Sequence, residues 1–148
     1  MNLQARYFVK TALAQLLISV LLGGLLLANS GLRLHPWIGT LLPVYYHLLM
    51  VGWATQLIGG VALWMFPPLS RERPRGDERL GWFAYTALNS GLLLRAVAEP
   101  LQLIRPSAWA GWALALAALL QVLAIWALAL ALWPRVKGRP GRLTKGVS

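Results

Sequence analysis

Four predominantly apolar runs, at about residues 8–28, 40–66, 81–104 and 108–133, leave few folds open to this chain. Each supplies the roughly 20 residues that a helix needs to cross about 30 Å of hydrocarbon. With 58% hydrophobic and only 12% charged residues, the composition agrees. The expected fold class is an all-α integral membrane protein, four transmembrane helices in an up-down bundle, with residues 1–133 as the membrane domain and 134–148 as a basic, mobile tail.

The first run, preceded by Arg6, also fits a signal peptide. It is long for that role, and the reading adopted is a retained helix. Asn29-Ser30-Gly31 read as a turn, followed by Arg33, His35, Pro36 and Trp37 at an aqueous boundary. Pro43 falls in the first turn of the second span, where a missing N–H costs little, and Pro67-Pro68 stop that span. Arg105-Pro106-Ser107 connect the last two.

The net charge of +10 does not point to nucleic acid, because the basic residues lie between and after the apolar runs. Arg6, Lys10, Arg71, Arg73, Arg75, Arg79 and five basic tail residues fall on one side of the membrane, against only Arg33 and Arg105 on the other. The positive-inside rule then places both termini and the 69–80 loop in the cytoplasm of a prokaryotic inner (plasma) membrane. With no cysteine, disulfides, thiolate metal sites and Cys-anchored haem are excluded.

Ionisable side chains within apolar spans are functional-site candidates by default. Here they are His47, Arg95 and Glu99. In the up-down topology all three fall in the outer part of the membrane, and Arg95 and Glu99, four apart on one helix, can pair. His47, Val51, Thr55 and Ile58 share one face of an α-helix. His47 also reads as an interfacial imidazole bonded to a carbonyl, and Arg95–Glu99 as a structural clamp. Tyr45 and Tyr46 read as interface anchors, Met50 and Met65 as packing, and Asn89 and Gln121 as interhelical hydrogen-bond formers. No catalytic residue can be assigned: there is no phosphate loop, no paired catalytic carboxylates and no Ser-His-Asp set.

The stretch HLLMVGWATQLIGGVALWMFP, beginning at His47, resembles the second transmembrane helix of the catalytic subunit of haem–copper oxygen reductases and their nitric oxide reductase relatives. WFAYTALNSGLLLRAVAEP resembles that family's third helix, so the likeness covers about residues 40–104. It implies that His47 ligates a haem b. The family's further metal-ligating histidines have no counterpart here, so no oxygen-reducing binuclear centre is implied for this chain alone. The family's helices form three arcs of four, and this chain resembles one arc, so a homotrimer would resemble the complete subunit.

Imidazole is a standard axial haem ligand. On this reading the cofactor-binding residues are His47, Arg95, Glu99, Gly52 and Thr55. Gly52, Gly59 and Gly60 offer places where another backbone or a flat ligand can come close; on the haem reading they leave room for the macrocycle, and Arg95, steadied by Glu99, pairs with a propionate. The second axial ligand is His47 or His35 of another subunit, Met50, or none. The expected function is electron transfer or diatomic gas binding by a b-type haem protein in the lipid bilayer. The alternative is a cofactor-free accessory or assembly subunit of a respiratory membrane complex. A proton or cation pathway lined by Glu99 and Arg95 is disfavoured, because a buried Arg repels cations.

Overall fold

The computed structural model describes residues 1–69 and 77–136. Most of the basic 69–80 loop and of the tail, on which the charge reading leans, lies outside the described residues. Every regular element among them is helical. Three stretches are long and apolar enough to cross a membrane: Leu3–Leu32, Pro36–Met65 and Ala108–Arg135.

Helix α1, Leu3–Leu32, begins where the Asn2 side chain accepts the Ala5 N–H at 2.8 Å, satisfying one of the orphan donors of a first turn. It runs straight through Asn29-Ser30-Gly31, where the sequence reading expected a turn. Ser30 Oγ bonds back to the Leu27 carbonyl, and Asn29 Oδ1 accepts the His35 N–H. These polar side chains are thereby satisfied without breaking the helix. The chain leaves through Arg33 in the left-handed region (φ 51°), its N–H returned to the Asn29 carbonyl.

The second rod is composite. A 3₁₀ turn, Pro36–Leu41, leads into α2, Leu42–His47; a π-helical segment follows over Leu48–Thr55, and then α3, Gln56–Met65. His35 Nδ1 accepts the Trp37 N–H at its start. Phe66 turns extended ahead of Pro67-Pro68 at its end, since the residue before a proline is pushed out of the helical region. Helix α4, Glu78–Ile104, is capped by Asp77, and α5, Ala108–Leu132, by Ser107. α4 is about as long as its neighbours, but Glu78, Arg79, Arg95 and Glu99 make it less apolar.

Consecutive rods run antiparallel and form two hairpins. In the first, glycines let α1 approach the second rod. A Cβ on Gly60 would stand 2.7 Å from Phe8 Cβ, and one on Gly23 2.9 Å from a Tyr45 ring carbon. In the second, Gly91 admits α5, with the Ala117 carbonyl 3.0 Å from the position of a Cβ. Such small-residue contacts are how helices associate in lipid, where apolar burial gives no driving force.

The hairpins meet over an apolar layer of Ala5, Phe8, Leu63, Ala84, Ala127 and Leu128. Polar pairs join them elsewhere. Gln4 donates to the Glu78 carbonyl, Thr11 pairs with Tyr85 at 2.8 Å, and Gln15 donates to Asn89 at 2.7 Å. The constant separation of 74 residues in these pairs sets α1 and α4 parallel and in register. At the same end as Gln4, Arg135, which the sequence reading assigned to the mobile tail, is only 5% exposed. Its guanidinium donates to the carbonyls of Leu63, Phe66 and Pro67, groups that the end of α3 leaves without helical partners.

Candidate functional site

His47 is the last residue of α2, at the point where α geometry gives way to the π segment. Its Nδ1 lies 2.9 Å from the Pro43 carbonyl. A carbonyl only accepts, so Nδ1 carries the hydrogen, and in the neutral ring Nε2 carries the lone pair. Nε2 has no partner among the described residues. An imidazole fixed through Nδ1–H···O=C with Nε2 bare is the arrangement found behind metal-bound histidines.

The α4 register brings the other two ionisable groups to the same place. Glu99 Oε1 accepts both Arg95 Nε at 2.8 Å and Nη2 at 2.7 Å. Glu99 Oε2, buried and without a hydrogen-bond partner, lies 4.0 Å from His47 Nδ1. Glu99 is 9% exposed, whereas the His47 and Arg95 side chains are 30% and 24% exposed. The outcome is a buried carboxylate flanked by two half-buried groups, with Arg95 Nη1 left without a partner among the described residues.

The remaining predicted site residues lie apart from this cluster. A Cβ on Gly52 would collide with Gln15 Oε1, one on Gly59 would come 2.7 Å from Leu128 Cδ2, and Gly60 is filled by Phe8 and Val9. These glycines admit neighbouring helices, so the room expected there for a macrocycle is taken. Thr55 donates to the Met50 carbonyl five residues back, as π geometry allows, and lines a furrow between the second rod and α5. Ile58, expected on the His47 face, is 69% exposed, and Met50 and Met65 are 60% and 68% exposed instead of packed. His35 is exposed and serves as a cap. Asn89 makes its interhelical bond; Gln121 Nε2, also expected to bond between helices, has no partner among the described residues.

Sequence reasoning missed the π segment, the Arg135 cap and the Thr11–Tyr85 pair. The last was discoverable: Thr11 and Gln15, and likewise Tyr85 and Asn89, are polar pairs four apart in apolar helices, the spacing at which two side chains share a face.

The described residues hold no group of three or more His, Cys, Asp or Glu able to bind a bare ion. A lone imidazole suits a metal that brings its own equatorial ligands, as haem iron does. The donor set therefore fits haem, with Nε2 as the axial atom and Arg95 Nη1 free for a carboxylate. The glycines do not contribute a cradle. No protein-family model, curated protein or solved structure matches this chain.

Proposed function

We propose that this chain is a four-span protein of a prokaryotic inner membrane, with both termini cytoplasmic, that holds haem b through His47 and serves in electron transfer or diatomic gas binding. One observation carries the reading: the Pro43 carbonyl holds Nδ1–H, which leaves Nε2 bare on an intramembrane histidine. The resemblance of residues 40–104 to the haem–copper oxidase catalytic subunit supports it. Bound there, the haem would supply a one-electron iron centre. His47 Nε2 would hold the iron, the Pro43 carbonyl would orient the imidazole, Arg95 would neutralise a propionate, and Glu99 would hold Arg95 in place.

Because Gly52, Gly59 and Gly60 are filled from within the chain, residues of a second copy would be needed to enclose a haem held by His47. This favours a homo-oligomer, with a homotrimer matching the three-arc resemblance. The same glycine packing favours the second reading, a cofactor-free accessory subunit of a respiratory complex.

The deciding experiment is an absorption spectrum of protein expressed with ample haem. A Soret band that shifts on dithionite reduction, disappears in His47→Ala and survives in His35→Ala is expected. Absence of the band in the unmodified protein refutes the haem reading and leaves the accessory one. Crosslinking in mild detergent tests the oligomer; a monodisperse monomer counts against the arc arrangement.

A further inference from the structure

Arg6 and Lys10 stand exposed on α1, one turn apart, at the end of the bundle where the chain begins. Together with Leu3 and Tyr7 they enclose a hollow of about 240 Å³. Neither side chain has an ion pair or hydrogen bond among the described residues. Like charges four apart on a helix repel. The Cα–Cβ bonds of a helix tilt toward its N-terminus, so the Lys10 stem leans back toward Arg6. An anion shared between the two cations turns their repulsion into attraction.

The third polar group of the hollow is the Tyr7 hydroxyl. Its ring meets Trp82 edge-on at 5.5 Å and Tyr85 at 6.0 Å between centroids. These contacts hold the ring in place, but its hydroxyl, unlike that of Tyr85, has no partner among the described residues. It is a donor without an acceptor.

Depth narrows the class of anion. Trp82 lies beside Tyr7, Trp64 lines a hollow with Met1 and Asn2, and Trp133 stands next to Pro134 and Arg135, whose guanidinium reaches the Leu63 and Phe66 carbonyls. Aromatic side chains from four rods thus gather at one end of the bundle, as they do where hydrocarbon meets headgroups. Beyond Lys10, Leu13 and Leu17 continue the same face of α1 at spacings of three and four, and both are exposed. A soluble anion would leave that apolar stripe bare, whereas a lipid covers it.

We propose that Arg6, Lys10 and the Tyr7 hydroxyl form a discrete site for the phosphate of an anionic phospholipid, whose acyl chains lie along Leu13 and Leu17. The two cations neutralise the phosphodiester and Tyr7 donates to it. A zwitterionic lipid is disfavoured, because its own ammonium cancels the charge that the cations select. The site lies at the opposite end of the bundle from His47 and stands whether or not haem binds there.

The test titrates the full chain in mild detergent with dioleoyl phosphatidylglycerol and with dioleoyl phosphatidylcholine, counting bound lipid by native mass spectrometry. One phosphatidylglycerol should bind ahead of the rest and more tightly than any phosphatidylcholine. Arg6→Gln and Lys10→Gln should each weaken that first step about fivefold. Tyr7→Phe, which keeps the ring, should weaken it about two- to tenfold. Arg79→Gln, at the same end but outside the hollow, and Arg105→Gln, at the other end, should leave it unchanged. All five positions are exposed, so helicity by circular dichroism should be retained throughout. Equal binding of the two lipids, or an equal loss in Arg79→Gln, would mean diffuse attraction to a basic surface. Either result overturns the proposal, as does a first step that survives the loss of both Arg6 and Lys10.

Discussion

Substituting Gly60 by Ala tests whether the glycines of the second rod exist for helix contact. The new Cβ would stand 2.7 Å from Phe8 Cβ, 3.2 Å from Val9 Cγ2 and 3.3 Å from the Val9 backbone nitrogen. None of these can swing aside: the first is the stem of a fully buried ring, and the last is main chain. The helices must separate by a few tenths of an ångström, and overpacking of this kind costs about 1–3 kcal/mol. Gly59→Ala meets only Leu128 Cδ2, the tip of a flexible side chain, and Gly24→Ala meets no heavy atom within 4 Å. The expected order of destabilisation is therefore Gly60, then Gly59, with Gly24 neutral. Unfolding titrations with SDS in mixed micelles, followed by tryptophan fluorescence and circular dichroism, would measure it. If Gly60→Ala proves as stable as Gly24→Ala, the close contact between α1 and α3 is wrong. If it alters a haem spectrum and not stability, the glycine belongs to a cradle after all.

Arg135→Met should destabilise the protein by at least about 1.5–3 kcal/mol, since charge-assisted bonds to the carbonyls of Leu63, Phe66 and Pro67 are lost. Arg135→Lys, which keeps the charge without the planar fork, should fall in between in the same titration. Gln15→Leu should cost about 0.6 kcal/mol and no more than about 1.7, the range for interhelical hydrogen bonds in membranes; a larger loss would mean that Gln15 supports more than Asn89. Glu99→Leu and Arg95→Leu should each destabilise more than the double variant does, because each single change strands the other partner. A double-mutant cycle measures this, and simple additivity would refute the pairing.

Much of this architecture was legible in the residue order because lipid admits so few solutions. Run length gave the long helices, Pro43 falls in the first turn of α2 as expected, and Pro67-Pro68 mark the end of the second rod. Counting along antiparallel helices put His47, Arg95 and Glu99 at one depth and allowed the Arg95–Glu99 pair, but it did not show that His47 faces Glu99. The π segment was not legible, since nothing in the spelling of Leu48–Thr55 calls for an extra residue per turn. The glycines were legible as places of close approach by a backbone or a flat ligand, but a missing side chain does not name what approaches, and here it is Gln15, Leu128 and Phe8. Arg135 was misplaced because a basic residue after a proline reads as solvated tail, and nothing local reveals that three distant carbonyls await it.

The widened turns of Leu48–Thr55 separate the two ends of the second rod in phase. A π turn takes up one residue more than an α turn, because its hydrogen bonds reach five residues back instead of four. Removing one residue from this stretch and letting it tighten to α winding would therefore leave His47 close to Glu99 and Gly60 against Phe8, whereas the same deletion within Gln56–Met65 would turn the outer end by about 100°. The second rod thus carries one spare residue, held between its two points of attachment.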